Sequence, residues 1–586
     1  MLRRLLLLVV GIALLAGQAA LRPWLQAAQQ EAGLAMPARA DSAGDAAIPV
    51  LALGAFRGLL IDYLWLRAMT LRDQGRHHEA RQLAEQICAL QPRMWEVWAY
   101  MGHDLAYNVA TVVDHPDERW RWVQNGIEHL RDKGIAKNPA APELYFMLAR
   151  VFHDKIASGR DDYHKLFKQR HAQSMLELLG DPQVDLAALA AAPAWESLQD
   201  EPEAQETIEL LARFHDDPRR LALQLELART CYPEALARIP AAEPLRPRRE
   251  LASWPRLILA ARRALLAEQC RFDAERMLAI DREWGPLDWR GVDASTIYWA
   301  AEGLRVARDE KVLAREREML RTTLSALRNA MNTGRLQVFP DGTLATAPML
   351  ELVAKVEALT RETVSRAEAR QAELQARHDA PGSKGLAPDE AAELVELDGF
   401  INNQRYARLD FLLQGVQLLH DYGREKAARE LFAAAQREFP EHPVLAVRDF
   451  DAWLNIELAR RFIDPDMMYE THVTVSQKAE GCWVSAFKAL AMGQDEKFRA
   501  QQRLAEAQAT RWRRYLASQE GLDPRVRERL SVPFEQVRDR AVYTAYQQLS
   551  PFLRRRLLEV LPAWFDRNKL EAPPQLNLPR PRTEGE

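Results

Sequence analysis

The sequence predicts an all-α fold of repeated antiparallel helix pairs, stacked as a solenoid and preceded by one N-terminal transmembrane helix. Leu, Ala, Glu, Arg and Gln dominate the 586 residues, and all five favour helices. Segments with the period-two alternation of half-buried strands are nearly absent. In addition, one helix–turn–helix pattern recurs along the chain, and an apolar run follows two arginines at its start.

The N-terminal run has the features of an export signal. Arg3 and Arg4 precede the apolar run Leu5–Leu21, and paired arginines hold that end of a segment in the cytoplasm. The run is at the short limit for crossing about 30 Å of hydrocarbon. We therefore expect residues 1–25 to be a signal anchor in a bacterial inner membrane, with the rest of the chain extracytoplasmic. Cleavage near Gly17–Ala19, which would release a secreted form, is the alternative.

The next stretch connects this anchor to the folded body. Residues 26–47 are rich in Ala, Gln, Gly, Asp and Ser, and we interpret them as a flexible spacer. A second apolar stretch, Val50–Leu66, contains Arg57 and Asp62. Because a charge at mid-membrane costs roughly 3 kcal/mol, this stretch is predicted to form the first core helices instead of a second crossing.

The recurring pattern begins directly afterwards. In a 34-residue helix-pair template, small residues lie where the two helices cross and a proline ends the second helix. Ile61–Met94 matches this template with Ala80 in the second helix and Pro92 at its end. The following unit supplies Trp98 and Gly102 at the expected offsets.

The clearest unit is Leu409–His442. It places Gly415 in the first helix, Ala428 and Phe432 in the second, and Pro440 at the end. Pro255–Asp288 is a degenerate match, and a further first helix is predicted near Leu144–Phe152.

These units resemble the tetratricopeptide repeat superfamily, which implies an α-solenoid; a generic helical bundle is the alternative. Four strings add to the resemblance: Gly54–Trp65, Leu90–Arg93, Glu118–Val123 and Gly285–Arg290. Together they are similar to a family of membrane-anchored bacterial proteins with tetratricopeptide-like repeats. The resemblance implies no activity and no functional residues.

The predicted body has three parts and a tail. The loop Ala380–Gly385 is the best internal boundary. We expect an N-terminal repeat domain at 48–180, a middle helical region at 181–380, a C-terminal repeat domain at 381–570 and a disordered tail at 571–586.

Composition limits the function classes. The chain is 48% apolar and 28% charged, which is typical of a folded soluble body. Its 79 basic and 83 acidic residues are interspersed, so no one-sided basic surface for nucleic acid is expected. The four cysteines form no CxxC motif and are expected to be small buried side chains. A Cys231–Cys270 disulfide is an alternative in an oxidising compartment.

Catalytic motifs are scarce. The sequence contains no HExxH, Walker A, GxSxG or GxGxxG motif. Imidazoles and carboxylates together suit zinc, so the densest polar cluster is a candidate metal site: His153, Asp161, Asp162, His164 and His171. The simpler interpretation is a helix start capped by Asp161 or Asp162, with the histidines on a polar or interhelical face. We therefore expect no metal and no cofactor.

Two further features have a structural and a functional interpretation. Trp95, Trp98, Trp120 and Trp122 are expected to pack in the repeat core, with a ligand groove as the alternative. Arg554–Arg556 is expected to be a solvated face, with contact to anionic lipid as the alternative.

These features predict a scaffold for protein–protein contact and not an enzyme. Stacked repeats form a surface that binds extended peptides or helices, so the expected partners are membrane or envelope proteins, with no small-molecule substrate. The chain would then be an accessory subunit of an envelope or transport complex. The alternative is a metal-dependent envelope hydrolase that uses His153, Asp161, Asp162 and His164.

Overall fold

The computed structural model describes residues 56–570 except for 159, 311, 381–384, 444, 446–448, 452, 454–467, 519–523 and 532. It is 78% helix, which confirms the all-α prediction. The predicted anchor, the spacer, the Ala380–Gly385 loop for the most part and the predicted tail lie outside the described residues. Among the described helices, none is long and apolar enough to cross a bilayer.

The N-terminal half is a succession of helices with short connections. Four of them, α3, α4, α5 and α10, continue directly as π-helical turns at Asp104–Val109, His129–Ile135, Phe152–Ala157 and Leu266–Cys270. The described α-helices of five or more residues up to the β-hairpin are α1 Phe56–Asp73, α2 His77–Leu90, α3 Trp95–His103, α4 Pro116–Glu128, α5 Pro142–Val151, α6 His164–Leu179, α7 Leu186–Ala190, α8 Pro202–Ala212, α9 Pro218–Cys231, α10 Ser253–Leu265, α11 Ala274–Trp284, α12 Val292–Asp309 and α13 Leu313–Thr333.

A two-stranded hairpin, β1 Arg335–Val338 and β2 Leu344–Ala347, interrupts the helices. Its strands are antiparallel, with Arg335 opposite Ala347 and Val338 opposite Leu344. The remaining elements are α14 Leu352–Asp379, α15 Pro388–Asp421, α16 Glu425–Glu438, α17 Met468–Ala491, α18 Asp495–Ser518, α19 Pro524–Leu530, α20 Phe534–Gln548 and α21 Pro551–Arg567.

The chain divides into two compact units. One contains the described residues up to Phe167 together with Ser295–Thr323, and the other contains Lys168–Ala294 and the described residues from Leu324 onward. In the second unit, Phe487 of α17 meets the ring of Trp564 of α21 edge-on at 5.4 Å, inside a core that also includes residues of α18 and α20.

Helix pairs occur at the two best repeat matches. The turn between α1 and α2 contains Gly75 at φ 73°, and the turn between α15 and α16 contains Gly423 at φ 74°. A positive φ is readily adopted by glycine, which allows such a short connection. In α16 the buried face is formed by Ala428, Phe432 and Ala435, whose spacing of three to four residues is that of one helix face.

The repeat-packing residues differ in environment. Trp98, Gly102, Gly415, Ala428 and Phe432 are buried, and Trp98 donates from Nε1 to the Pro92 carbonyl at 3.0 Å. A Cβ added at Gly415 would lie 2.9 Å from Cδ2 of Leu431 on the facing helix α16. Ala80 and Pro92 are half-buried, and Pro440 is exposed.

Candidate binding groove

Asp161 of the predicted His/Asp cluster forms two buried ion pairs. The Asp161 carboxylate accepts from Nη2 of Arg119 at 3.0 Å and from Nζ of Lys155 at 2.6 Å, and all three side chains are buried. Burial raises the pKa of Asp161, but the hydrogen bonds from Lys155, the Tyr163 backbone and Arg119 outweigh it and hold the pKa below its usual value. Asp161 is therefore an anion that already has two cationic partners.

The other members of the cluster do not join it as ligands. His164 Nδ1 lies 2.7 Å from the Asp161 carbonyl oxygen, and Asp162 is exposed. Burial lowers the pKa of His171 to about 4, so its imidazole is neutral at physiological pH. His153 is half-buried. In the described part of the chain, no three His, Cys, Asp or Glu side chains are grouped so that they could hold a metal ion.

The predicted tryptophans and cysteines have ordinary surroundings. Trp98 and Trp122 are buried, and Trp95 and Trp120 are half-buried. All four cysteines are free thiols, including Cys231 and Cys270.

The most distinctive polar feature lies in the second unit, in a groove beside α9 and α10. Helix α9 begins at Pro218, where the Asp217 side chain accepts from the Arg219 backbone N–H at 3.0 Å. Single helical turns at Pro233–Leu236 and Arg246–Arg249 follow, and α10 then packs against α9. These four pieces enclose an open groove with a volume of about 920 Å³.

One face of α10 forms the floor of this groove. Trp254, Ile258 and Arg262 are four residues apart, which places them in one row along the helix. All three are buried. A charged residue thus occupies the third position of an otherwise apolar row.

The Arg262 guanidinium is buried, and its Nη1 has no hydrogen-bond partner in the part of the chain that the structure describes. The side chain is 8% exposed, and its buried Nη1 donates to no described atom. It lies against Gly180, just after α6, where an added Cβ would be 2.7 Å from Nη1. Burial lowers the pKa of Arg262 to about 10, against the opposing effect of the Glu226 charge, so the group stays cationic at neutral pH.

Arg262 is an exception among buried arginines. Five arginines are buried in the described residues, and each of the other four has a carboxylate within 4 Å: Arg119, Arg290, Arg408 and Arg538. The contrast is sharpest at Gly180, because Arg290 lies at the same end of α6. Arg290 pairs with Asp181 and with Asp288 at 2.8 Å, and it also donates to the Leu336 carbonyl at 3.0 Å.

A second guanidinium in the groove is only partly satisfied. Arg249 donates from Nη2 to the Ala242 carbonyl at 2.8 Å, but its buried Nε has no partner among the described atoms. By contrast, Arg229 pairs with Glu226 at 2.5 Å, and Arg246 lies within 4 Å of Glu243 and Glu250. Arg249 and Arg262 are therefore the two cations of the groove that lack a carboxylate partner.

Glu226 also lines the groove, and two donors fix its position. Its carboxylate accepts from Trp254 Nε1 at 3.0 Å as well as from Arg229. Burial raises the pKa of Glu226, but the hydrogen bonds from Arg229 and Trp254 outweigh it and lower the pKa below its usual value. The indole and the carboxylate thus hold each other in place, and Glu226 stays ionised.

The groove was not predicted from the sequence. This region was predicted only to contain the degenerate repeat Pro255–Asp288 within the middle helical part of the chain. The available signal was Arg262, a charged residue at an apolar position of the α10 row. The burial of its guanidinium involves contact with Gly180, which is distant in sequence.

Comparison of the chain with family models finds no match, and comparisons with curated proteins and with solved structures find none either. The tetratricopeptide resemblance therefore stays a prediction.

Proposed function

We propose that this chain is a binding scaffold, tethered at a bacterial inner membrane by its N-terminus, and that the α9–α10 groove receives a segment of a protein partner. The observation that supports this proposal is the buried Arg262 guanidinium without a partner in an open groove. A charge removed from water costs several kcal/mol unless it is paired. A bound partner segment that supplies an acceptor would offset this cost.

The lining of the groove favours a protein ligand. Arg and Trp are the residue types enriched at the energetic centres of protein interfaces, and here Arg262 lies in line with Trp254. The rim is polar and exposed, as at Arg246 and Glu250, which is the usual surround of an interface centre. An extended segment could lie along this row with alternate side chains directed into the groove.

The same lining supports a binding role over catalysis. It contains no Ser, Thr, Cys, His, Lys, Tyr or Asp among the described residues, so a paired nucleophile and base is missing there. Glu226, a potential base, is held ionised by two donors. The hydrolase alternative also loses support, because Asp161 of the His/Asp cluster is engaged by Arg119 and Lys155.

The tether is proposed from Arg3, Arg4 and the apolar run Leu5–Leu21, all outside the described residues. A reporter that is active only in the periplasm, fused after Pro49, should be active. Activity of a cytoplasmic reporter at the same junction would reject this part of the proposal.

Site-specific photo-crosslinking tests the binding role in the full-length chain at the membrane. p-Benzoylphenylalanine is placed at Leu259, a half-buried lining residue of the groove, or at Phe214, an exposed residue of the same unit outside the lining. We expect one discrete protein adduct from Leu259 and none of that mass from Phe214. Equal adducts at both positions, or none at Leu259, would count against a partner segment in this groove.

A further inference from the structure

We propose that the α9–α10 groove is a carboxylate-binding site, in which Arg262 and Arg249 bind a carboxylate carried beside an apolar side chain. The inference rests on the proposed function and names the group by which the partner segment is recognised.

Two independent features of the groove point to an anion. Arg262 is more than nine-tenths buried and its Nη1 has no partner, and the buried Nε of Arg249 also has none among the described atoms. Guanidinium groups present N–H donors in a planar fork that matches the two oxygens of a carboxylate. A carboxylate in the groove would supply acceptors for donors that the chain leaves unused.

The charge balance favours a monoanion. The groove is lined by four arginines and three glutamates, which gives it a net charge of +1. Glu226 is held ionised next to Trp254 and repels a second negative charge. A carboxylate therefore fits this balance better than a phosphate dianion.

The row on α10 defines what accompanies the carboxylate. Ile258 and Trp254 continue from Arg262 along one helix face, so an apolar side chain next to the bound carboxylate would contact them. A peptide offers this combination either at its C-terminal residue or at an acidic side chain with an apolar neighbour. The two sources share their chemistry and can be separated by experiment.

Three small probes test the proposal by calorimetric titration of the full chain. N-acetylleucine carries a terminal carboxylate, N-acetylleucinamide lacks it, and the α-amide of N-acetylglutamic acid carries the carboxylate on its side chain. We expect at least one of the two acids to bind at least tenfold more tightly than the leucinamide. The tighter acid then identifies the source, terminal or side-chain. Equal binding of all three probes, or binding of none, would overturn the proposal, and inorganic phosphate binding more tightly than both acids would overturn its monoanion part.

A pair of variants separates a ligand site from a structural arginine. Arg262→Met removes the buried cation, and Arg256→Met makes the same change on α10 at an exposed arginine that pairs with Glu201 outside the groove. We expect Arg262→Met to abolish carboxylate binding while the melting temperature without ligand stays equal or rises, because an unpartnered buried charge has been removed. Arg256→Met should bind within twofold of the natural chain.

Arg262→Met could instead melt several degrees lower and still bind the carboxylate. This result would show that Arg262 only stabilises the end of α6 at Gly180, and it would overturn the proposal. The crosslinking experiment keeps this failure distinct from failure of the scaffold. An adduct at Leu259 without carboxylate preference would reject only the recognition group, whereas loss of the adduct as well would reject the scaffold.

Discussion

The close approach of α3 and α4 can be tested at Gly126. A Cβ at this position would lie 2.8 Å from the Ala106 Cβ and 2.9 Å from the Gly102 carbonyl oxygen. Because the Gly102 oxygen belongs to the backbone, a side-chain rotation cannot relieve the contact, and the two helical segments must separate. We therefore predict that Gly126→Ala destabilises the first unit.

The magnitude follows from two opposing effects. Replacing a helical glycine by alanine stabilises a helix by about 1 kcal/mol, and overpacking a buried contact costs about 1–3 kcal/mol. A backbone contact belongs at the upper end of that range, so the net loss for Gly126→Ala is roughly 1–2 kcal/mol. Gly58 of α1 is the control, since a Cβ there meets nothing within 4 Å. Gly58→Ala should gain up to about 1 kcal/mol.

Urea unfolding followed by far-ultraviolet circular dichroism measures both variants. The midpoint for Gly126→Ala should fall and that for Gly58→Ala should stay or rise, with the slope of the transition unchanged. In thermal melts the difference amounts to about 2–4 °C per kcal/mol for a unit of this size. An equal gain in stability from both substitutions would refute the close helix crossing at Gly126.

Three further predictions concern other parts of the chain. Ala428 is fully buried in α16, so Ala428→Leu should destabilise the chain by roughly 1–3 kcal/mol and lower its melting temperature. Arg424→Ala on the exposed turn should barely change the melting temperature. Equal effects of the two substitutions would show that the repeat register is wrong. Burial raises the pKa of Asp293 to about 7, so its stabilising contribution is complete below the unfolded pKa of about 3.9 and is lost as the pH rises through 7. Asp293→Asn should therefore gain stability relative to the natural chain between pH 5 and pH 8, by up to about 3 kcal/mol in urea titrations, and a pH-independent difference would contradict this reasoning. Metal analysis of the purified chain should find less than one zinc per chain, because Asp161 already has two cationic partners; one tightly held zinc that is lost in His164→Ala would revive the hydrolase alternative.

The helix pairs could be predicted because their signals are local. Gly75 and Gly423 mark the turns, and the spacing of Ala428, Phe432 and Ala435 marks one buried face. The β-hairpin was missed, although its turn contains Asp341-Gly342, with Gly342 at φ 82°. Its strands of four residues are too short for a period-two pattern to stand out against helical neighbours.

The chemistry of the site was less predictable because it depends on contacts between distant residues. Asp161 resembles a metal ligand in sequence, but Arg119, 42 residues away, occupies its carboxylate. The reverse holds for Arg262, whose position in the row of Trp254 and Ile258 places it on an apolar face but does not show whether its guanidinium reaches water. Only the packing of α10 against the end of α6 shows that its guanidinium is buried and that Nη1 has no acceptor among the residues described.

The two buried arginines beside Gly180 show why the absence of an acceptor at Arg262 matters. Both meet the same end of α6, where the negative end of the helix dipole favours a cation. Arg290 uses this position structurally, with Asp181 and Asp288 as partners. If Arg262 served only the same end, the helix dipole and the charge of Glu226, which is already paired with Arg229, would have to offset the burial of a second guanidinium. The dipole contributes about 0.3–1 kcal/mol, which is smaller than the several kcal/mol that burial costs. In the proposed site, a partner's carboxylate would supply this acceptor and would reach Arg262 through the open side of the groove.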